Sequence, residues 1–187
     1  MPLRQEDQTY TYADYSTWDD SERWELIEGL PYAMSPAPAP KHQEISFALS
    51  LQLGNFLKGK PCKLYPAPFD VRLNADREDD TVVQPDLSVI CDSAKIDDKG
   101  CKGAPDFVVE ILSPSTARRD RMVKFQLYLQ AGVREYWIVD PDTQTVQVCI
   151  LCEGFYRAAM YGDTDKISVS TLPGCEIDLQ DVFPSQE

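Results

Sequence analysis

Thr81-Val-Val-Gln-Pro-Asp-Leu-Ser-Val-Ile-Cys91 and Asp106-Phe-Val-Val-Glu-Ile-Leu112 are two short, mostly apolar segments, and each contains an acid inside its apolar run. Their length and β-branched composition predict strands, and the polar residues between them allow the strands to lie side by side. An ionised acid buried there must be paired, bind a cation or become protonated, because isolated burial of its charge costs too much free energy. Asp86 and Glu110 are therefore the first candidate functional residues.

The spacing of these acids predicts a shared cation site. Acids at the same level on neighbouring strands can converge on one point. Convergent carboxylate oxygens suit a hard divalent ion such as Mg²⁺, which one or two protein carboxylates commonly hold together with substrate phosphate. Pro85 removes a backbone donor, so we expect incomplete strand pairing beside Asp86, where a ligand could enter.

Composition limits the class of protein. The 187 residues fit one domain, residues 1–187, with enough apolar content for a core. The net charge of −13, from 18 basic and 31 acidic residues, has the wrong sign for binding nucleic acid through global electrostatics. No stretch resembles a membrane span or a signal peptide, so we expect a cytoplasmic protein without a membrane partner.

Cysteine usage favours free, mostly buried thiols, because a cytoplasmic chain of this length does not require disulfides. Cys149-Ile-Leu-Cys152 leaves a metal or redox role open, although no second half of a zinc site accompanies it. The six cysteines are Cys62, Cys91, Cys101, Cys149, Cys152 and Cys175.

Sequence patterns predict four elements before the acidic strands. They are a short helix over 9–19, a hairpin turning at Glu28-Gly29, a stiff proline-rich connector over 35–40, and a long helix over 41–58. The apolar positions of the long helix are Ile45, Leu49, Leu53 and Phe56, widened by Phe47, Leu51 and Leu57.

Two residues in this region allow two interpretations each. His42, the only histidine, is either a partly exposed residue at a helix end or a substrate-facing, proton-handling residue at the mouth of the site. Asp70 lies on the polar face of a predicted strand over 63–73. It is either solvated or a third acid turned toward Asp86.

A second helix, predicted over 117–130 and closed by Gly132, follows the strand that carries Glu110. Lys124 projects among its apolar side chains, where it can pair with Asp120 one turn away or reach over the strand end toward Glu110. Arg118, Arg119 and Arg121 belong to the same helix. With Lys124 they form a local basic patch, which is either a solvated face or a phosphate-binding surface.

The polar residues 94–103 predict a mobile loop between the two acidic strands. The sequence after the second helix predicts β structure. The strands are predicted over 135–140, 145–151, 155–161 and 167–172, followed by a short tail over 177–183.

Several short motifs follow one another along the chain: Trp24-Glu-Leu-Ile-Glu-Gly29, Met34-Ser-Pro36, His42, Pro85-Asp86-Leu87, Val109-Glu-Ile-Leu-Ser-Pro-Ser115, Lys124, Gly132-Val-Arg-Glu-Tyr-Trp-Ile-Val-Asp-Pro141 and Pro173-Gly-Cys-Glu-Ile-Asp-Leu179. This ordered set resembles the PD-(D/E)XK superfamily of restriction-endonuclease-like nucleases, and within it the Uma-type restriction endonuclease family of bacteria. One position departs from the superfamily pattern: Leu112 occupies the place of the motif lysine, and Lys124 matches the lysine thought to replace it in that family.

The resemblance implies an α/β fold with an α-β-β-β-α-β core. A mixed central sheet would be flanked by helices, with an N-terminal helix and hairpin before it and extra C-terminal strands after it. It also implies a Mg²⁺-dependent or Mn²⁺-dependent endonuclease in which Asp86, Glu110 and the carbonyl of Ile111 hold the metal and Lys124 orients the attacking water. DNA is favoured over RNA as the substrate. His42, Arg118, Arg119 and Arg121 are the expected nucleic-acid contacts, and a homodimer is expected because cutting two strands requires two sites.

Two rival functions remain open at this point. The first is an interaction module that kept the nuclease fold and lost cleavage, which the net charge and Leu112 favour. The second is a structural or regulatory domain whose acids form buried pairs with arginines such as Arg72 or Arg118.

Overall fold

Two six-stranded sheets and one long helix form the body of the protein, a computed structural model that describes residues 8–18, 23–34 and 37–183. The helices are α1 Tyr12–Tyr15, α2 Pro40–Leu57 and α3 Phe125–Ala131, with a π-helical segment at Arg119–Lys124 and 3₁₀ turns at Ser93–Lys95 and Leu179–Asp181. The strands are β1 Trp24–Ile27, β2 Leu30–Ala33, β3 Lys63–Pro66, β4 Val71–Arg72, β5 Val82–Val83, β6 Leu87–Ile90, β7 Ile96–Asp97, β8 Gly100–Lys102, β9 Phe107–Ile111, β10 Glu135–Asp140, β11 Thr145–Cys152, β12 Phe155–Gly162, β13 Lys166–Ser168 and β14 Glu176–Asp178.

The strand order confirms the expected fold. The first sheet runs β2-β1-β5-β4-β8-β7 and the second runs β12-β11-β10-β9-β6-β3, while β13 and β14 pair separately. In the second sheet β10 is parallel to β9, and the other neighbours are antiparallel. Along the chain, α2, β3, β6, β9, α3 and β10 follow one another in α-β-β-β-α-β order, so the second sheet is the mixed central sheet that the resemblance implies.

Helix α2 packs one face on the second sheet. Ile45, Leu49 and Leu53 are fully buried in the core cluster that also contains Trp137 of β10. The prediction that Phe47 and Leu51 belong to the buried apolar face of this helix was wrong, because their side chains are 69% and 52% exposed. Phe47 follows Ile45 by two positions, which turns its side chain by roughly 200° to the opposite side of the helix.

The β1–β2 hairpin confirms the predicted turn at Glu28-Gly29. Both residues have positive φ, 50° and 74°, as a two-residue hairpin turn of this hand requires. A Cβ at Gly29 would lie 2.7 Å from the Cβ of Thr9, which is too close, so this position also has no room for a side chain. The preceding helix is only one turn, α1, and is shorter than predicted; Asp19 of that prediction and Ser35 and Pro36 of the connector lie outside the described residues.

Three predictions about the middle of the chain were wrong in their boundaries. The strand predicted over 63–73 is divided into β3 and β4, which belong to different sheets, because Pro66 and Pro68 interrupt a regular ladder. The strand predicted over 81–91 is divided into β5 and β6. The loop predicted over 94–103 contains the short β7–β8 hairpin. Pairing of β8 with β4 stabilises this hairpin, whereas its polar sequence does not favour strands.

The C-terminal strands follow the predictions closely. β10 has the predicted bounds, and β11 and β12 are each one residue longer than predicted. β13 is shorter than the predicted strand over 167–172, and the tail forms β14 and a 3₁₀ turn. Among the described residues, no helix is long and apolar enough to span a membrane.

The expectation of free thiols was wrong for two cysteines, because Cys62 and Cys91 form a disulfide. β3 and β6 pair antiparallel with Lys63 opposite Ile90, so the residues just beyond that pair, Cys62 and Cys91, face each other across the ladder. The other four cysteines are free. Cys101, Cys149 and Cys175 are buried, and Cys152 is partly exposed.

Candidate active site

The chain passes from the first sheet to the second at Gln84-Pro85-Asp86, between β5 and β6. β5 pairs with β1 in the first sheet, and β6 pairs with β9 in the second. The expected break in pairing at Pro85 is confirmed, and it places Asp86 just before β6 rather than inside a strand. This crossing is where side chains from both sheets meet.

Asp86 and Glu110 lie at the same level on neighbouring chain segments. β6 and β9 are antiparallel with Leu87 opposite Val109, so the next residue on each side brings Asp86 level with Glu110. The backbone N–H of Ile111 donates to Asp86 Oδ2 at 2.7 Å, which fixes the carboxylate against the end of β9.

Glu110 is a buried carboxylate with two donors on one oxygen. Its Oε1 accepts hydrogen bonds from Lys124 Nζ at 2.8 Å and from the hydroxyl of Tyr128 at 2.6 Å. Burial raises the pKa of Glu110 well above its ordinary value, and the nearby charges of Asp120 and Asp86 add to this although Lys124 opposes it. The charge of Lys124 therefore counteracts the effect of burial on the pKa of Glu110.

Lys124 is the central cation of the site. Its Nζ lies 2.7 Å from Glu25 Oε1, 2.8 Å from Glu110 Oε1 and 3.7 Å from Asp120 Oδ1. Burial disfavours the charge, but these carboxylates outweigh it and raise the pKa of Lys124. Both sequence interpretations therefore hold, since Lys124 pairs with Asp120 one turn away and also reaches Glu110.

The helix that carries Lys124 is not the regular helix predicted over 117–130. It begins with the π-helical segment and continues as α3, which ends at Gly132 with φ 84° as predicted. π-Helical turns often occur at functional sites, because the wider turn changes the directions of its side chains. Here Asp120 and Lys124 are buried, whereas Met122 and Val123, two apolar residues of the same segment, are exposed.

Glu25 is a site residue that the sequence reasoning missed. It is fully buried on β1. Its Oε1 accepts a hydrogen bond from the backbone N–H of Gln84 at 3.0 Å and forms an ion pair with Lys124 Nζ at 2.7 Å. Arg119 donates to its Oε2 at 3.1 Å. The available signal was the one used for Glu110, an acid inside a short apolar strand, Trp24–Ile27, but this segment entered only as part of a motif.

Asp120 adds a further buried acid. Its Oδ1 has no hydrogen-bond partner among the described residues, and Lys124 lies at ion-pair distance only. Burial raises the pKa of Asp120, and Lys124 opposes the change. The site therefore contains one carboxylate oxygen whose hydrogen-bonding capacity is unused.

His42 contacts the predicted metal-binding acid directly. Its Nε2 lies 3.2 Å from Asp86 Oδ2, and its Nδ1 is buried without a hydrogen-bond partner among the described residues. Burial alone would lower the pKa of His42, but Asp86 and the backbone of Ile111 outweigh it and raise the pKa. Of the two interpretations, the structure places His42 at the site rather than at a solvated helix end.

The predicted basic patch is divided by ion pairs. Arg119 binds Glu25 inside the site, and Arg121 pairs with Asp140 at 2.8 Å at the end of β10. Arg118 is exposed and forms no ion pair within the described part of the chain. Arg72, named with Arg118 as a possible partner of the buried acids, instead pairs with Asp79 and Asp97.

Asp70 lies next to the acid cluster but is separated from it by Gln84. Asp70 Oδ1 accepts from Gln84 Nε2 at 2.9 Å and from the hydroxyl of Tyr15 at 3.2 Å. Burial raises the pKa of Asp70, and these donors oppose the change. Asp70 is thus hydrogen-bonded rather than solvated, and it positions the residue whose backbone N–H binds Glu25.

The chemistry of this site fits a hard cation. Four carboxylates gather around one lysine, one arginine and one histidine, and burial raises the pKa of two of them, Glu110 and Asp120. A divalent ion would offset this excess of acid, and Mg²⁺ requires only one or two protein carboxylates beside water and phosphate. Within residues 8–18, 23–34 and 37–183, no three His, Cys, Asp or Glu side chains form a metal-binding group by themselves. The four carboxylates belong to Glu25, Asp86, Glu110 and Asp120.

The position of the superfamily's motif lysine is apolar, as noted from the sequence. Leu112 is buried in the core cluster that also contains Tyr128 and Leu127 of α3. It cannot supply a charge to the site. Lys124 supplies the ammonium from the neighbouring helical segment instead, with its Nζ on the carboxylate of Glu110.

Comparison with known proteins identifies the family of this chain. The family model described as "Uma2: Putative restriction endonuclease" matches residues 12–180. The uncharacterized protein slr1290 of Synechocystis sp. strain PCC 6803 is 33% identical over 132 residues, which cover 70% of this chain and 67% of that protein.

A solved structure shares the fold. The crystal structure described as "a putative nuclease belonging to DUF820" from Anabaena variabilis ATCC 29413 has a TM-score of 0.74 at 22% identity and covers 93% of this chain and 97% of that chain. At this identity the similarity shows the fold alone. The family model, by contrast, runs from α1 to the last 3₁₀ turn and includes all four acids, so the chain belongs to the Uma2 family.

Proposed function

We propose that the protein is a metal-dependent endonuclease that hydrolyses phosphodiester bonds, with DNA favoured over RNA as its substrate. The observation that carries the proposal is the buried ammonium of Lys124, held between Glu110 and Glu25. The descriptions of the family and of the Anabaena variabilis protein, a "putative restriction endonuclease" and a "putative nuclease", support the same reaction class.

Asp86, Glu110 and the backbone carbonyl of Ile111 are the proposed ligands of Mg²⁺, or of Mn²⁺ in its place. When bound, the ion would neutralise charge on the scissile phosphate and lower the pKa of a water molecule. The ammonium of Lys124 would orient the attacking water and stabilise negative charge developing on the phosphate. Tyr128 and Ile111 hold the two carboxylates in place through their hydrogen bonds.

Substrate contacts are proposed for the cations at the edge of the site. Arg118 is exposed and free to bind a phosphate, and Arg119 and His42 each bind one of the site's acids. Arg121 is partly exposed but paired with Asp140, so its contact with the substrate would require this pair to open.

A cleavage assay tests the proposal. Plasmid and single-stranded DNA are incubated with protein purified without a histidine tag and with Mg²⁺ or Mn²⁺. We expect nicking by the wild type that Glu110→Gln and Lys124→Arg abolish, since the first removes a ligand charge and the second changes the position of the cation. Lys58→Arg, on the exposed end of α2, is the matched control. Equal nicking by all four proteins would overturn the proposal, because it indicates a contaminant or another site.

Metal binding is tested separately by thermal unfolding. A ligand that binds only the folded state raises Tm, so Mn²⁺ or Mg²⁺ is expected to stabilise the wild type. Asp86→Asn should abolish this gain. An equal gain in Asp86→Asn and wild type would exclude Asp86 as a metal ligand.

The alternative function is an interaction module that binds nucleic acid or protein without cleavage. The net charge of −13 favours it, because few free cations remain to hold a duplex during reaction. Absence of nicking on every substrate, together with retained binding of an oligonucleotide, would support this alternative.

We also propose a homodimer formed through the edge strand β12. Its eight residues are mostly exposed, Arg157 is its only charged residue, and no described strand pairs with its outer edge. Such an edge offers unpaired backbone groups to a second copy. Sedimentation should show a dimer that Met160→Lys dissociates; a monomeric wild type at all concentrations would exclude it.

A further inference from the structure

An exposed aromatic ring lies at the edge of the acid cluster. Tyr32 of β2 is directly opposite Glu25 of β1, so the two side chains share one face of the hairpin. Tyr32 is 36% exposed, and its hydroxyl forms no hydrogen bond within the described chain. Its ring is therefore available to a molecule that enters the site from solvent.

Arg119 connects this ring to the proposed catalytic lysine. Its guanidinium lies 5.3 Å from the centroid of Tyr32 and donates to Glu25 Oε2 at 3.1 Å. The other oxygen of Glu25 binds Lys124 at 2.7 Å. A group held against Tyr32 is thus separated from the ammonium of Lys124 only by Arg119 and Glu25.

Arginines lie near this ring, although the chain as a whole is acidic. Arg23 is exposed, donates to the amide oxygen of Gln84 at 2.8 Å and forms no ion pair within the described residues. Arg118 is exposed and forms no ion pair within the described residues. With Arg119 they give three cations near the site against a net charge of −13.

This charge pattern favours a short unpaired strand over a duplex. Proteins that hold duplex DNA commonly neutralise about 6–10 phosphates, which three arginines cannot provide. Single strands are bound by fewer cations combined with aromatic rings on which unpaired bases stack. Bases in a duplex stack on one another and present no free face to Tyr32.

On the basis of the proposed nuclease function, we infer that Tyr32 and Arg119 form a stacking platform for an unpaired base of the substrate. The platform selects single-stranded or locally opened nucleic acid. The base packs on the ring of Tyr32, and Arg119 and Arg118 hold the adjoining phosphates at the entrance to the acid cluster.

Binding to fluorescent oligonucleotides in EDTA tests the platform without cleavage. The wild type should bind a single-stranded oligonucleotide more tightly than a hairpin duplex of equal length. Tyr32→Ala should weaken single-strand binding by roughly 5- to 100-fold and leave duplex binding unchanged. Tyr32→Phe should retain binding because it keeps the ring, whereas Tyr32→Leu should lose it.

A control with an exposed aromatic ring exists on α2. Phe47 is 69% exposed and belongs neither to the acid cluster nor to the proposed dimer strand β12. Phe47→Ala should not change binding. Quenching of 2-aminopurine fluorescence in the bound strand should persist in Tyr32→Phe and disappear in Tyr32→Leu, a signature that a merely structural tyrosine would not give.

The outcomes separate this inference from the proposed function. If Tyr32→Ala binds both substrates as the wild type does, or loses both equally, the platform is wrong even where metal-dependent cleavage persists. If single-strand binding depends on Tyr32 but no substrate is cut, the platform holds and the nuclease proposal fails. If the wild type binds no oligonucleotide, the platform is wrong, and the cleavage assay with divalent metal alone decides the nuclease proposal.

Discussion

The ammonium of Lys124 lies within 2.8 Å of two carboxylates, Glu25 and Glu110, which belong to different sheets. All three side chains are buried. A cation in this position holds the two sheets together at the site, and its charge opposes the rise in the pKa of Glu110 that burial causes.

Removing this cation should destabilise the fold. Lys124→Met leaves the buried Glu110 without its ion-pair partner and Glu25 with Arg119 alone, for which we expect a loss of about 3–5 kcal/mol in the free energy of unfolding. Urea denaturation measures the loss. Adding Glu110→Gln to Lys124→Met should recover part of it, and Lys166→Met at an exposed site is the control. A Lys124→Met protein as stable as the wild type would show that the pair contributes nothing.

The contact between His42 and Asp86 predicts a pH dependence that one resonance can follow. His42 is the only histidine, so NMR reports its titration without assignment, provided that no histidine tag is present. Its pKa should lie above the ordinary 6.5, and Asp86→Asn should lower it. A pKa unaffected by Asp86→Asn would contradict the pairing.

The same contact affects stability in a defined direction. Because the folded-state pKa of His42 is raised, its stabilising contribution is complete below the unfolded pKa and is lost as the pH rises through the folded pKa. The difference in unfolding free energy between wild type and His42→Asn should therefore be larger near about pH 5.5 than near about pH 8.5. A difference that grows with pH has the wrong sign.

Glu25 should affect turnover although it is not a proposed metal ligand. Glu25→Gln removes a charge that positions both Lys124 and Arg119, so we expect kcat to fall roughly 10- to 100-fold with a smaller change in KM. Glu28→Gln in the turn of the same hairpin is the exposed control. Wild-type kcat in Glu25→Gln would confine the role of Glu25 to folding.

The disulfide predicts a thiol count. In denaturant without reductant, four of the six cysteines should react with a thiol reagent, and all six after reduction. Since the bridge closes a loop with a sequence separation of 29, Cys62→Ser should lower the free energy of unfolding by about 3 kcal/mol under oxidising conditions. Reductant should remove most of this difference. Six reactive thiols before reduction would show that the bridge does not form.

The sequence predicted elements well where one local pattern decides the outcome. The apolar run of β10 and the helical spacing of Ile45, Leu49 and Leu53 each bury a continuous face, so their bounds or their core residues were correct. Asp86, Glu110 and Lys124 were found because each places a charge where apolar neighbours predict burial. That reasoning needs no knowledge of the fold.

Features that depend on long-range pairing could not be read in the same way. β4, β5 and β7 have two residues each, too few for any periodicity, and they exist because neighbouring strands complete their hydrogen bonds. The disulfide follows from the register of β3 and β6, which spacing along the chain does not contain. Glu25 reaches the site because β1 pairs with β5, which brings its carboxylate to the backbone N–H of Gln84. This pairing cannot be read from the local sequence around Glu25.

The site combines residues from both sheets, which the segment Gln84-Pro85-Asp86 connects, so it can form only after much of the chain has been synthesised. Glu25 is made long before Lys124, and a chain emerging from the ribosome contains its acids without the amine that organises them. Whatever reaction the site performs has to wait until β9 and the helix after it have left the exit tunnel. A partly synthesised chain therefore contains an incomplete site.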